Sequence, residues 1–140
     1  MSNQIISNAH FHHIALKASD FNRSLKFYTE GLGFTVFKTW GKDDSRAAML
    51  DMGDGRYVEL FAGGKKVEMP ENASGNFFHL AIGADCSDAA YERAIQCGAI
   101  SISAPYDANI CGPEGELPLH IAFVAGPDGE VIEFFTIRDK

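Results

Sequence analysis

Apolar residues along this chain change period in a fixed order, and the order occurs twice. Residues 11–17 (Phe-His-His-Ile-Ala-Leu-Lys) read as a strand. Phe21, Leu25, Tyr28 and Leu32 then follow helical spacing, with Ser19 or Asp20 placed to cap the helix and Gly31 or Gly33 to end it. Residues 34–40, rich in β-branched and aromatic side chains, resume as a strand. After a polar turn at 41–46, residues 47–52 and 57–61 form a hairpin about Gly53-Asp54-Gly55. This half reads β-α-β-β-β.

Residues 63–76 are polar and carry Gly63, Gly64, Pro70 and Gly75, which marks them as a connector. The order then repeats. Residues 77–82 predict a strand. A helix follows, capped by Ser87 or Asp88, carrying Ala90, Tyr91, Ala94 and Ile95, and ended by Gly98. Residues 100–104 predict a short strand and 105–118 a Gly/Pro-rich loop. Strands at 119–124 and 131–137 flank a Pro127-Asp128-Gly129 turn. Neither half alone would bury its sheet well. The expectation is therefore an α+β fold in one domain, residues 1–140, with βαβββ modules at about 11–62 and 77–137 that share one curved mixed sheet.

A chain of 140 residues with 46% hydrophobic and 22% charged residues can bury a real core. A formal net charge of −7, without any basic run, excludes a nucleic-acid partner. No apolar run approaches a membrane span, and Met1 to Gln4 offer no leader-like segment. Cys86, Cys97 and Cys111 are odd in number and lack a C-x-x-C pair, which fits a reduced cytoplasmic protein.

The candidate chemistry lies in what the two halves share. His13 opens an apolar strand and Glu59 interrupts a later one; His79 and Glu133 repeat this arrangement. Side chains alternate faces along a strand, so Glu59 shares a face with Tyr57 and Phe61 while Val58 and Leu60 turn to the core. Glu133 behaves likewise between Ile132 and Phe134. A carboxylate in an apolar strand is costly unless compensated. Any one of these residues alone is more often structural than a ligand, but the recurrence favours a metal site formed by His13, Glu59, His79 and Glu133. Two imidazoles and two carboxylates suit a divalent Ni, Zn, Co, Mn or Fe ion, with positions left open for substrate. If both sheets turn this face inward, the four groups converge near the pseudo-twofold axis between modules. His12 has the opposite parity to His13, and His10 shares that parity, so both are expected outside the site. His120 opens a similar run without a Glu in register and is read as cavity-lining or hydrogen-bonded. Lys17 is placed to meet an anionic substrate group, with a solvated strand-end lysine as the ordinary alternative. Trp40, Tyr57, Phe61 and Phe135 wall a pocket or belong to plain core.

The segment His13-Ile-Ala-Leu16-Lys-Ala-Ser-Asp20, with Ser24, Phe27, Tyr28 and Leu32-Gly33-Phe34, resembles the opening of the vicinal oxygen chelate superfamily. That superfamily includes glyoxalase I, extradiol dioxygenases and fosfomycin-resistance proteins. Pro127-Asp128-Gly129 followed by Glu133 matches its closing motif, so the resemblance spans about 11–135. A carboxylate at Glu59 is similar to the pattern of short bacterial glyoxalase I enzymes. That likeness implies a homodimer with its sites at the subunit interface, and the hemithioacetal of methylglyoxal and glutathione as substrate. It also implies proton transfer through an enediolate, with Glu133 as base and Glu59 mirroring it. Lys17 stands where that enzyme usually has arginine, and Gly63 where it has asparagine, which leaves another small metabolite with vicinal oxygens open. Fe(II)-dependent ring cleavage and non-catalytic small-molecule binding are the alternative activities.

Overall fold

The computed structural model describes Ile5 and residues 11–66, 79–113 and 115–138. Its elements run β1 (His13–Lys17), α1 (Phe21–Lys26), β2 (Thr35–Trp40), β3 (Ala47–Asp51) and β4 (Tyr57–Phe61). The second set is β5 (Leu80–Gly83), α2 (Ser87–Gln96), β6 (Ile100–Gly112), β7 (Gly115–Ala125) and β8 (Val131–Ile137). Two four-stranded mixed sheets result, ordered β1-β4-β3-β2 and β5-β8-β7-β6. In each, the first strand lies parallel to the last, and the other neighbours are antiparallel. The two halves thus repeat one βαβββ topology.

Asp20 caps α1, its carboxylate accepting from the Arg23 amide at 3.0 Å. Beyond Lys26 the helix widens into a π-helical turn over Phe27–Gly31. That turn buries Phe27 and Tyr28 together. Helix α2 starts differently from its expected cap. Cys86 holds the cap position without a side-chain bond, and Ser87 Oγ instead reaches the His120 carbonyl at 2.9 Å and Thr136 Oγ1 at 2.7 Å. Ser87 is fully buried, so its hydroxyl is spent on the sheet rather than on the helix terminus.

The expected loop over 105–118 is instead most of a long hairpin formed by β6 and β7. Pro105 lies where the β6–β7 register shifts, and a bulge tolerates a missing amide donor. Pro118 lies at the end of the β7–β8 ladder, where its carbonyl still accepts from the Arg138 amide at 2.9 Å and only the reciprocal donor is missing. A Gly/Pro content that reads as loop is therefore compatible with strand at a bulge or a ladder end. Positions 77 and 78 of the expected strand, and 67–76 of the connector, lie outside the described residues.

Alternation divides each sheet as the pattern requires. Ala48, Leu50, Val58 and Leu60 in one module, and Val124, Ile132 and Phe134 in the other, join Phe27, Tyr28, Phe34 and Ala94 in one core. The core therefore spans both modules.

A buried carboxylate fixes how the modules meet. Asp128, in the β7–β8 turn, accepts from the Ser19 amide at 2.7 Å and from the Ser19 and Ser24 hydroxyls at 3.1 and 2.6 Å. Beside it, the Tyr28 hydroxyl donates to Glu130 at 2.6 Å, and the Arg23 guanidinium donates to the Pro127 carbonyl. Arg93 on α2 reciprocates, its guanidinium meeting the Gly31 and Glu30 carbonyls, each at 3.0 Å. Those carbonyls close the first helix, where a cation is favourable. Burial pushes the Glu130 carboxyl up from its ordinary value, and burial beside Glu130 pushes the Tyr28 hydroxyl well up.

Two outcomes follow from this latch. Asp128→Ala strands the buried Ser24 hydroxyl and is expected to lower stability by about 3 kcal/mol in urea unfolding; a loss below about 1 kcal/mol would contradict the latch. For Glu130, a folded-state pKa above the unfolded one means its contribution is complete below the unfolded pKa and is lost as pH rises through the folded one. The stability of Glu130→Gln minus that of the parent should therefore increase between about pH 4 and pH 7, measured by unfolding at each pH.

Candidate functional site

The face of each sheet opposite the helices carries the unusual polar residues. In the first module it is organised in rows across the strands. Lys17, Phe61, Ala47 and Trp40 form one row, and Ala15, Glu59, Met49 and Lys38 the next; His13, Tyr57, Asp51 and Thr35 form the third. Glu59 is thus flanked by aromatic residues of both neighbouring rows. Small Ala47 lets the Trp40 ring lean edge-on against Phe61, at 5.8 Å between centroids. A bulge in β2 frees Phe37 from the ladder, and its ring lies 5.1 Å from that of Tyr57. Strict alternation would have put Phe37 on the face opposite Trp40, so no sequence signal marks it as part of this surface.

His13 and Glu59 stand on this face with Nε2 and Oε2 3.8 Å apart. The other ring nitrogen of His13, Nδ1, lies 2.9 Å from Nδ1 of His12. His12 also packs against Tyr57, with ring centroids 5.2 Å apart. This corrects the expectation that His12 lies outside the site. It precedes the first ladder position, where pleat alternation does not yet govern direction. Its contact with Nδ1 turns the Nε2 edge of His13 towards Glu59, the kind of outer contact that orients a metal-binding imidazole.

In the second module, Ala81 and Phe123 are the cross-strand neighbours of Glu133. The Glu133 carboxylate is buried, 6% exposed, and its Oε2 lies 2.9 Å from His79 Nε2. Phe123 packs edge-on against the His79 ring at 5.7 Å. An ionised carboxylate among aromatic rings needs a compensating charge. The donor chemistry fits a divalent ion: two ligands at right angles on an ion, each at about 2.1 Å, stand about 3 Å apart. The His79–Glu133 pair already has that spacing; the His13–Glu59 pair is wider and would close slightly on binding.

The four groups do not converge within one chain, contrary to the expectation from the pseudo-twofold axis. His13 and His79 border a common cleft of about 810 Å³ between the first strands of the two modules, with Lys17, Lys65 and Asp128 also on its walls; Glu59 and Glu133 do not line it. Among the described residues, no three His, Cys, Asp or Glu side chains are arranged to hold a metal. The chain presents two separate His/Glu pairs.

The remaining candidates separate cleanly. Lys17 lies at the end of the Phe61–Trp40 row, and Trp40, Tyr57 and Phe61 are on the Glu59 face. Phe135 shares the Glu133 face, paired with Ile121. His120 pairs with Thr136, which puts it on the helix side of the sheet, away from Glu133. Its Nδ1 is 2.7 Å from Asp107, and its Nε2 2.7 Å from Asp88 on α2. The bond from His120 holds the Asp107 carboxyl below its usual value. His120 is therefore a hydrogen-bonded residue of the α2 side and does not line the site. His10 lies outside the described residues.

Residues 10–134 match the Glyoxalase/Bleomycin resistance protein/Dioxygenase superfamily. The chain belongs to that superfamily. A probable lactoylglutathione lyase of Vibrio parahaemolyticus is 32% identical over 133 residues, covering 91% of each chain. One from Vibrio cholerae is 28% identical over 135 residues with the same coverage. Among solved structures, a glyoxalase I variant from Zea mays superposes with a TM-score of 0.70 at 23% identity, over 89% of this chain and 44% of that one. The trypanothione-dependent glyoxalase I of Leishmania major gives 0.64 at 24% identity, over 92% and 87%. TioX from Micromonospora gives 0.64 at 20% identity, over 91% and 98%. At these identities the structures establish the fold alone.

If the two pairs bind an ion, removing either histidine should remove it. His13→Ala and His79→Ala are each expected to weaken metal retention by at least about tenfold in equilibrium dialysis with elemental analysis. Retention unchanged in both variants would reject the ligand assignment.

Proposed function

We propose that this protein is a divalent-metal-dependent lyase of the glyoxalase I type. It isomerises an α-hydroxycarbonyl compound by moving one proton between neighbouring carbons, while the hydroxyl proton passes to the neighbouring oxygen. The observation that carries this reading is the buried Glu133 carboxylate 2.9 Å from His79, on a face whose counterpart in the first module repeats the pair with His13 and Glu59. The relatives named lactoylglutathione lyase support the hemithioacetal of methylglyoxal and glutathione as the substrate, with S-lactoylglutathione as product.

His13, Glu59, His79 and Glu133 would hold the ion, which when bound supplies Lewis-acid polarisation of the two neighbouring substrate oxygens. Glu133 takes the proton from the hydroxyl-bearing carbon and returns it to the adjacent one. Its apolar surroundings exclude water, so the proton stays on the carboxylate between the two transfers. Glu59 faces the opposite side of the substrate. Because one chain holds two separate half-sites, the working form is a homodimer in which the first module of one copy meets the second module of the other. A site in the cytoplasm suits a reduced, glutathione-dependent substrate.

Turnover is tested by ultraviolet detection of thioester from methylglyoxal and glutathione across a panel of divalent ions. Glu133→Gln should lower kcat by at least about 100-fold while the fold is kept; thioester formation undiminished in that variant would refute the base assignment. The shared site has its own test. Mixing an inactive His13→Ala/Glu59→Gln chain with an inactive His79→Ala/Glu133→Gln chain gives heterodimers with one intact site. Random pairing should then recover about a quarter of parental activity, whereas a site built within one chain recovers none.

A further inference from the structure

A second cleft, of about 850 Å³, opens on the helix side of the fold where α1, α2 and the β7–β8 turn meet. The chain as a whole has 12 Lys and Arg against 19 Asp and Glu. Around this cleft the balance is inverted. Arg23, Lys26, Lys66 and Arg93 line it, and Glu30 is the one acidic residue among the described residues on its walls. Neither arginine has a carboxylate partner among the described residues. Arg23 donates to the Pro127 carbonyl, and Arg93 to the Gly31 and Glu30 carbonyls, each at 3.0 Å. Those bonds hold each guanidinium in place, use only part of its five N–H donors and leave its charge without a counter-ion. Lys66 makes no ion pair among the described residues. Lys26 lies 3.9 Å from Glu30, in an exposed pair of the kind that contributes little. The nearby carboxylates of Asp128 and Glu130 do not line the cleft and are occupied by Ser19, Ser24 and Tyr28.

We propose that this cleft is a binding site for a small organic phosphate carrying at least two anionic groups, separate from the His/Glu faces. Two oriented guanidiniums select phosphate, because the planar fork meets two phosphate oxygens at once. Being already held by carbonyls, they lose little side-chain freedom on binding. Their anchors are spread along the cleft: Arg23 and the Gly31 carbonyl that holds Arg93 are 31 − 23 = 8 residues apart, about two helical turns. A single small anion would meet one of them, whereas a ligand charged at two places meets both. Phe27 and Ile100 give the cleft an apolar wall for the carbon skeleton between the charges. Arg23 and Lys26 belong to the first module, Arg93 and the β7–β8 turn to the second, so a ligand here bridges the modules beside the Asp128 latch. A second copy that meets the His/Glu faces leaves this opposite side open.

Fructose, fructose 6-phosphate and fructose 1,6-bisphosphate share one carbon skeleton and carry no, one and two phosphates. The experiment titrates each into the purified protein, with its metal content as isolated, by isothermal calorimetry. The bisphosphate is expected to bind with a Kd about tenfold lower than the monophosphate, and to raise Tm as a ligand of the folded state does. Fructose should give no binding heat. Lys26→Gln/Lys66→Gln removes two exposed cations and should weaken the bisphosphate about tenfold without lowering Tm. Gln96→Glu, which adds a negative charge to the same wall and breaks no printed bond, should weaken it as well. Lys38→Gln/Lys42→Gln makes the same charge change away from the cleft, on and just after β2, and should leave the affinity as it was. Equal weakening by the two lysine pairs would reduce the effect to diffuse attraction and overturn the proposal. So would equal affinity for one and two phosphates, or no bisphosphate binding at millimolar concentration. Binding that disappears in His79→Ala would place the phosphates on the His/Glu face and overturn it too.

Discussion

Asp128 ties two small sheets together over one core. A four-stranded sheet with a single helix buries too little to be stable by itself, and each module here is that size. The Asp128 carboxylate, 9% exposed, gathers an amide and two hydroxyls from the chain around the start of α1. Burying a charge is unfavourable unless its lone pairs are filled, and here they are filled from the opposite module. The requirement therefore acts as a positional constraint: the β7–β8 turn is satisfied only where Ser19 and Ser24 lie. With the turn fixed, Tyr28 reaches Glu130, and the apolar faces of both sheets close over one core.

That closure has a chemical consequence on the other side. Because strands alternate, committing Val58, Leu60, Ile132 and Phe134 to the helices forces Glu59 and Glu133 onto the opposite face. Glu133 ends up buried beside His79, and Glu59 lies between two pairs of aromatic rings. The same packing that stabilises the core thus holds two carboxylates beside a histidine each, on faces that also carry aromatic rings.

Much of this was legible in the sequence because it depends on period and parity. The βαβββ repeat, the strand positions of His13, Glu59 and Glu133, and the apolar set opposite them all follow from alternation. The features that escaped are those in which a residue works across a distance in sequence. Ser24 enters the sequence reading only through the family resemblance, yet it is fully buried and its hydroxyl meets a partner 104 residues away. Ser87 reads as a cap and serves β7 and β8 instead. His120 lies in a run like those after His13 and His79, but its pairing with Thr136 sends it to the helix side. The β2 bulge reverses Phe37 by inserting one residue, a change of register that no composition announces.

Separation of the two His/Glu pairs follows from the same geometry. The shared core joins the modules through their helix-facing sides, and the latch adds contacts from α1 and α2. Those contacts fix one side of each sheet and leave the His/Glu side of both without a partner sheet in the same chain. His13, at the start of β1, and His79, just before β5, border a common cleft beside these edge strands; the glutamates, one strand further in on β4 and β8, do not. Bringing Glu59 and Glu133 to one ion would require sheet faces to meet, and within the chain those faces are held apart by the core that stabilises them.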